Sequence, residues 1–363
     1  MPSITPFLLS AAVAVGPAAG AAKPATPAVA TAAEAAPAFD PADARKAIEE
    51  LASALDENFV FPEWGHAYAA MLRKNLADGA YASFKDAQSF AAKVTADMQA
   101  VHKDGHLRLR VAPKEPPAGG ADDGRRRGPP ETSAVGKSGW IAPGVAYVEF
   151  RGFPGNEATT KAVSDFLATY RDAKTLILDV RRNGGGGLAE MNLLFAQIYA
   201  KPTTLVTMDI RQAVEEKHGT PFADNDPVLP KVAGPATIIR RQHIVSPAAN
   251  QGPLKDAKIY LLTSKGTFSA AEHFSLALKR TKRATLIGEA TGGGAHFGGT
   301  IPMGAGYVAF IPVGRTFDPD TGLSWEGTGV APDVPVPADK ALDEALKRIG
   351  VAGTGEAALA KLN

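Results

Sequence analysis

The stretch TLILDVRRNGGGGLAEMNLLFAQIYA, residues 175–200, decides how the chain is expected to fold. It begins with the apolar run Thr175–Val180, continues through four successive glycines and ends in Leu188–Ala200, which has the apolar spacing of a helix. A buried strand, a glycine loop and a helix, in this order, form the repeating unit of α/β proteins. The stretch therefore predicts an α/β domain.

Strand-like and helix-like segments alternate on both sides of this unit. Apolar runs typical of strands are Val145–Phe150, Thr204–Met208, Lys258–Leu262, Ala284–Ile287 and Tyr307–Pro312. Helical periodicity is found in Glu157–Tyr170, Ala270–Thr281 and Lys340–Ile349. The alternation predicts one α/β domain over residues 140–340, followed by a C-terminal helix and tail over residues 341–363.

Three amphipathic segments precede the α/β domain. They cover roughly residues 41–59, 63–76 and 84–101, and the strand-like Leu107–Val111 follows them. This pattern predicts a small N-terminal helical domain over residues 40–112. Residues 113–139 are rich in Pro, Gly and Arg, which is typical of a flexible loop whose removal should leave folding nearly unchanged.

The first residues have the composition of a processed leader. FLLSAAVAV is a short apolar run, and small residues that could be cleaved follow it, so we expect a signal peptide over residues 1–22. Residues 23–39, an Ala/Pro/Thr run, are predicted to be a disordered linker. The expected location is periplasmic or secreted. The alternative for the leader is a disordered cytosolic tail.

Composition excludes several functional classes. The net charge of +1 gives no electrostatic basis for binding nucleic acid. The absence of cysteine excludes disulfides, thiolate metal sites and cysteine nucleophiles. No stretch after the leader approaches the ~20 apolar residues of a membrane span. We therefore expect a soluble mature chain.

The glycine loop has two functional interpretations. Gly184, Gly186 and Ala189 match G-x-G-x-x-[GA], and Asp209 ends the next apolar run, as in a dinucleotide-binding oxidoreductase. Residues 181–183 separate the strand from the first glycine, however, and no second nucleotide-binding half follows. In the other interpretation, backbone N–H groups of the loop approach a reacting carbonyl oxygen.

GTFSAAEHF, residues 266–274, follows a strand-like run and begins a predicted helix. Ser269 and Glu272 form an S-x-x-E capping box, which needs no catalysis to explain it. The position is also compatible with a nucleophile, since the N–H of Ala270 would be free to bind an oxyanion. Among possible bases His296 remains open, His273 is poorly placed on the same helix, and loop-like segments are expected around His218 and His243.

The spacing of His102, Asp104 and His106 is that of side chains on one face of a strand, which suggests a metal site. No further ligand motif accompanies them, so no metal is expected. Glu326, in SWEGTGVAPD, lies in a glycine-rich turn beside Trp325, an unusual place for a merely solvated carboxylate.

Four ordered segments together resemble the C-terminal-processing (tail-specific) serine peptidases: DVRRNGGGG, LTSKGTFSAAEHF, LIGEATGGGAHFGG and WEGTGVAPDVPV. The helical segment that ends in TADMQAVHKDGHLRL is similar to the branch containing interphotoreceptor retinoid-binding protein and the tricorn core protease. The resemblance implies a crotonase-like α/β catalytic domain that hydrolyses peptide bonds of a peptide or protein substrate, without a cofactor.

Carried over by motif, the resemblance makes Ser269 the nucleophile, His106 the general base and Glu326 the carboxylate of the charge network. The oxyanion hole would then consist of the N–H of Ala270 and that of a loop glycine, Gly185 or Gly186. A histidine base with the ordinary pKa of about 6.5 predicts activity that rises between roughly pH 6 and 7.

Two features depart from the family pattern. Gly105 stands where the tricorn-like pattern has a serine that links the histidine to the glutamate, and residues 113–138 are too few for the PDZ domain of tail-specific relatives. The rival interpretation is a non-catalytic protein that binds apolar ligands on the same fold. The sequence predicts neither the oligomeric state nor the cleavage specificity.

Overall fold

The computed structural model describes residues 38–113, 132–219, 222 and 225–362. The helices are α1 Pro41–Asn58, α2 Pro62–Ala77, α3 Ala87–Val101, α4 Glu157–Thr169, α5 Ala189–Ile198, α6 Gln212–His218, α7 Ala270–Arg280, α8 Ala341–Ile349 and α9 Gly355–Leu359. The strands are β1 Arg108–Val111, β2 Val135–Ala142, β3 Val145–Phe150, β4 Thr175–Asp179, β5 Thr203–Arg211, β6 Lys231–Val232, β7 Ile238–Val245, β8 Lys258–Thr263, β9 Thr285–Gly288, β10 His296–Pro302, β11 Tyr307–Phe317 and β12 Val334–Pro335. The fold is mixed α/β, as predicted.

The first sheet carries the predicted strand, loop and helix unit. Its order is β12-β9-β8-β4-β3-β2, and every neighbouring pair except β3 and β2 is parallel. All five residues of β4 are buried, as expected for a parallel strand covered on both faces. Because β4 and β8 are parallel neighbours, the loops that follow them leave the same edge of the sheet. These loops are the glycine loop and the segment that leads to Ser269.

The second sheet is antiparallel and has the order β1-β11-β5-β7-β6, with β10 also paired to β11. Strand β5, which follows the glycine-loop unit, therefore lies in a different sheet from β4. Asp209 on β5 accepts hydrogen bonds from Arg240 and Arg315. The dinucleotide-binding interpretation is wrong, because it requires β4 and β5 in one parallel sheet and a free acid at the end of β5.

Three hydrophobic cores join these layers. One core lies between the two sheets and contains α4, α5 and α7, and a second lies between the parallel sheet and α8 and α9. The third packs α1, α2 and α3 against β1 and β11 of the antiparallel sheet. The N-terminal helices thus share a core with β11, which comes from the C-terminal half of the chain. This shared core fixes the end of the helical segment, and His106 with it, against the rest of the fold.

Several predicted boundaries are corrected by the packing. Phe39, assigned to the disordered linker, packs its ring against Phe84 and Phe90. Residues 135–139, assigned to the flexible loop, form the first part of β2 and pair with β3. The segment around His243, interpreted as a loop, is the strand β7, in which Arg241, His243 and Val245 are buried, and His218 ends α6.

The predicted signal peptide, residues 1–22, lies outside the described residues, as do residues 23–37 of the linker and 114–131 of the loop. Across the described ranges, no helix has both the length and the apolar character needed to cross a membrane.

Candidate active site

Ser269 stands at the junction between β8 and α7 with an unusual backbone conformation. Its φ of 56° and ψ of −120° are disfavoured for a residue with a side chain, at a cost of about 1–3 kcal/mol. The N–H of Ser269 donates to the Glu272 carboxylate at 2.8 Å, and Phe268 N–H donates to the Asn183 carbonyl at 2.9 Å. The helix starts at Ala270, as the capping box predicted, and its neighbours hold the serine in a strained conformation typical of functional positions.

His106 lies beside this serine although 163 residues separate them in the sequence. Its Nε2 is 3.0 Å from Ser269 Oγ. The ring packs between Phe268 and Phe310, with centroid distances of 4.7 and 5.1 Å. Together these contacts direct the Nε2 atom of a buried imidazole at the hydroxyl, which is the arrangement that a general base requires.

Burial determines the protonation of His106. The pKa of this imidazole is lowered to about 4, mainly by loss of solvent; the Asp104 carboxylate opposes this shift, and Arg108 and His296 add to it. At neutral pH the ring is therefore uncharged and its Nε2 can accept a proton. The buried Nδ1 makes no hydrogen bond to any residue that the structure describes.

Glu326 makes no hydrogen bond with the His106 imidazole, so the predicted charge network is not a serine–histidine–glutamate chain. Its Oε1 accepts the N–H of Gly105 at 2.7 Å, and its Oε2 accepts the N–H groups of Ala295 and His296 at 2.6 and 3.1 Å. Gly105 has no hydroxyl, so its backbone makes the link to the glutamate. The carboxylate ties together the two segments that enclose the base.

Asp104 is the carboxylate that sequence reasoning missed as part of this site. Its Oδ1 accepts the N–H groups of His106 and Leu107 at 2.8 and 2.9 Å, and its Oδ2 lies 2.7 Å from His296 Nδ1. Burial opposes the charge of Asp104, but the His296 hydrogen bond and the two N–H groups leave its pKa below the ordinary value. An aspartate two residues before the histidine, a spacing typical of Asx turns, was the available signal.

The structure does not bring the suspected metal ligands together. His102 stacks on Trp64 with 4.2 Å between centroids, and neither His102 nor His106 belongs to the cluster of possible ligand atoms that the described residues form. Asp104, His296 and Glu326 do place one ligand atom each within 4.8 Å of one another. Their atoms are already engaged, since His296 Nδ1 bonds to Asp104, and Glu326 Oε2 accepts two backbone N–H groups. This cluster is a hydrogen-bonded support for the site, and it leaves His296 without a hydrogen bond to Ser269.

The glycine loop lies directly against the serine. A Cβ added to Gly185 would lie 2.7 Å from Ser269 Cβ, so only glycine allows this approach. The N–H of Gly185 donates to Asn183 Oδ1 at 2.9 Å, which corrects its assignment as an oxyanion donor. Within the described ranges, the N–H groups of Gly186 and Ala270 donate to no acceptor, so these two are available for an oxyanion.

The buried carboxylate of Glu272 links the Ser269 turn to the loop of residues 291–294 by hydrogen bonds. Its two oxygens accept hydrogen bonds from Ser269 N–H, Thr291 Oγ1, Gly293 N–H and Gly294 N–H at 2.6 to 2.8 Å. Burial raises the pKa of Glu272 against these four hydrogen bonds. The residue that the sequence marked as a helix cap therefore also fixes the loop that contacts the His106 ring, where a Cβ on Gly294 would lie 2.7 Å from His106 Cε1.

A cavity of about 440 Å³ opens beside Ser269, Ala270 and Gly186. Most of its wall is apolar and comes from Leu188, Met208, Phe222, Leu229, Phe297 and Trp325. Asn192 and His273 add polar atoms, and His243 connects them, with its Nε2 2.7 Å from Asn192 Oδ1 and its Nδ1 2.8 Å from His273 Nε2. Burial lowers the pKa of His273 to about 3, so the cavity contains an uncharged imidazole.

Comparison with known protein families gives two matches, which cover different parts of the chain. The pattern of peptidase family S41 matches residues 144–336. The pattern described as the N-terminal domain of peptidase S41 in eukaryotic IRBP matches residues 32–135. The carboxyl-terminal-processing peptidase 2 of the chloroplast of Arabidopsis thaliana is 25% identical over 209 residues, which are 57% of this chain and 35% of that protein. The chain thus spans about a third of the length of this curated relative.

Solved structures with the same fold include a candidate peptidase from Parabacteroides merdae, at 18% identity and a TM-score of 0.53, covering 89% of this chain and 96% of that one. A lipoprotein from Streptococcus agalactiae has 15% identity and a TM-score of 0.52, covering 86% of this chain and 98% of that one. These structures bear on the fold alone. The two sequence matches confirm the family resemblance drawn from the four motifs and from the helical segment.

Proposed function

The chain belongs to peptidase family S41, and we propose that it is a serine peptidase in which Ser269 is the nucleophile and His106 the general base. The observation that carries the proposal is the 3.0 Å distance between His106 Nε2 and Ser269 Oγ. It is supported by the strained backbone of Ser269 and by an imidazole that is uncharged at neutral pH. A residue that only capped a helix would need neither feature.

Acylation begins when Ser269 Oγ attacks the carbonyl carbon of the substrate peptide bond while His106 Nε2 takes the hydroxyl proton. The resulting oxyanion is stabilised by the N–H groups of Gly186 and Ala270. Because Ala270 is the first residue of α7, the positive end of the helix dipole adds to this stabilisation. Glycine at 185 lets the loop lie close enough to the serine for such a pair of donors.

The C–N bond then breaks, and His106 gives its proton to the departing amine. A water molecule attacks the acyl ester while His106 takes its proton, and Ser269 Oγ regains that proton as the acid product leaves. Glu326 and Asp104 act on the backbone around His106, holding Gly105, His106 and Leu107 in place. The carboxylates thus orient the base through the main chain, and Asp104 also favours the imidazolium by its charge.

We further propose a crotonase-like catalytic domain with the N-terminal helical segment as an integral part of the active site. The support is that His106 lies in the short segment between α3 and β1 and that α1, α2 and α3 share a core with β11. The leader-like composition of residues 1–22 supports export to the periplasm or the exterior, with a peptide or protein as substrate.

Hydrolysis of a peptide library by the full chain tests the proposal. Product masses should show cleavage by the wild type and loss of cleavage in Ser269→Ala and His106→Ala, with folding verified by circular dichroism. Cleavage that survives Ser269→Ala would overturn the proposal. If the folded wild type cleaves nothing but binds apolar ligands, the non-catalytic interpretation holds instead.

A further inference from the structure

Strand β1, which begins two residues after the base His106, carries two arginines, Arg108 and Arg110. Leu107 and Leu109 point into the helical core with 1% and 3% exposure. Because side chains alternate along a strand, Arg108 and Arg110 project from the opposite face. That face carries Phe310, the register partner of Arg108 on β11, whose ring packs against His106. The two arginines therefore lie on the surface that begins at the catalytic histidine.

Neither arginine has an anionic partner within the described residues. The Nε of Arg108 is buried and donates to no acceptor there. Burial lowers the pKa of Arg108, and the like charge of Arg110 lowers it further. The nearby carboxylate of Asp104 is already used by His106, Leu107 and His296. A cation that is partly desolvated and unpaired is costly to keep, which is expected where an external anion completes the site.

Other arginines of the same sheet are paired. Arg240 and Arg315 share the Asp209 carboxylate at 2.6 to 3.2 Å. By contrast, β1, β10 and β11, which surround Arg108, contain no acidic residue. The positive charge on this part of the sheet is therefore left uncompensated by the strands around it.

The location of the arginines relative to the scissile bond follows from the proposed chemistry. His106 protonates the departing amine, so the leaving segment of the substrate lies on the His106 side of Ser269. The wall of the cavity of about 440 Å³ includes Ser269, Ala270 and Gly186 but not His106, so this cavity suits the acyl side. An extended chain advances ~3.3 Å per residue, so Arg108 and Arg110, both on β1, lie at most about 7 and 13 Å from His106 along the chain.

We propose that Arg108 and Arg110 bind a carboxylate carried by the leaving segment of the substrate, about two to four residues after the cleaved bond. This inference rests on the proposed function, because it deepens the substrate class of the same site. The carboxylate is either the side chain of an acidic residue or the free C-terminus of the substrate. A guanidinium binds both in the same bidentate way.

Binding to the full chain carrying Ser269→Ala tests the subsite without turnover. Three fluorescent peptides of otherwise identical sequence serve as probes: one with Glu in the leaving segment and an amidated C-terminus, one neutral with a free C-terminus, and one neutral and amidated. We expect one of the two carboxylate peptides to bind about tenfold or more tightly than the neutral one, the effect of a charge-assisted hydrogen bond. The peptide that binds more tightly than the neutral one shows whether the carboxylate comes from an acidic side chain or from the free C-terminus.

Added Arg108→Gln should abolish this preference, Arg108→Lys should retain part of it, and Arg45→Gln, on the distant exposed face of α1, should leave it unchanged. If Arg108→Gln loses the native circular dichroism signal, Arg110→Gln at an exposed position carries the same test. Equal binding of all three peptides, no binding of any, or a preference that survives the arginine variants would overturn the subsite. Wild-type cleavage of the neutral peptide in that case leaves the proposed function standing.

Discussion

The pH dependence of activity gives a quantitative test of the buried base. Burial lowers the pKa of His106 to about 4 from 6.5. For a base with pKa 4, about 97% of the protein has a neutral imidazole at pH 5.5, whereas with pKa 6.5 only about 9% would. The free-enzyme profile of kcat/KM should therefore be nearly flat from pH 8 down to about 5.5 and fall only towards pH 4.

The direction of the shift in the pH profile follows from the protonation state in which His106 is active, which is the neutral imidazole. Protonation of His106 removes the base, so a lowered pKa moves the acid limb to lower pH and leaves activity at neutral pH untouched. This replaces the rise between pH 6 and 7 expected from the sequence, which assumed an imidazole in water. The fluorophosphonate labelling rate of Ser269 should follow the same profile without depending on substrate binding.

The substitution Arg108→Gln tests the same account by changing the charge near His106. Arg108 is one of the groups that lower the pKa of His106, so its neutralisation should move the acid limb slightly upward in both assays. Near-UV circular dichroism at each pH separates loss of the base from unfolding. A half-maximal rate near pH 6.5 in the folded wild type would refute the account of a desolvated imidazole.

Four further substitutions have expected outcomes. Gly186→Ala would place Cβ 2.0 Å from the Phe153 carbonyl oxygen at a φ of 135°, so the labelling rate should fall about 100-fold or more with the displaced oxyanion donor. Gly184→Ala, with no heavy atom within 4 Å of the added Cβ, should stay within about 0.5 kcal/mol of wild type in urea unfolding. Glu272→Gln turns an amide group towards N–H donors and should cost about 2 kcal/mol or more, measured as a lower urea midpoint. Asp104→Ala leaves three donors without an acceptor and should destabilise the protein similarly; unchanged midpoints would contradict either expectation.

The helices and the parallel sheet were predictable because their apolar residues follow a clear period. α1, α2 and α4 lie within about two residues of the expected segments, and β3 matches its prediction. Strand β7 was missed because two of its inward positions are Arg241 and His243, which are buried at 1% and 0% exposure. A hydropathy pattern treats such residues as exposed, whereas here tertiary contacts accommodate them.

The candidate site was predictable only in part. Ordered motifs suggested Ser269 with His106, a pair that no local spacing could indicate across 163 residues. The separate roles of Glu326 and Asp104 were not predictable. Both carboxylates accept hydrogen bonds from backbone N–H groups, and every residue except proline has such a group, so no sequence motif indicates these bonds. The choice of Gly186 over Gly185 likewise depends on one hydrogen bond to Asn183.

The central claim is that His106 activates Ser269 for nucleophilic attack, and its most direct test is the site of fluorophosphonate labelling. Purified wild-type, Ser269→Ala and His106→Ala chains, each shown to be folded, are incubated with the probe at pH 7 and analysed by peptide mass spectrometry. The account predicts a single modified residue, Ser269, in the wild type and almost no labelling in either variant. A folded wild type that remains unlabelled, or a His106→Ala chain labelled at Ser269 as fast as the wild type, would contradict it.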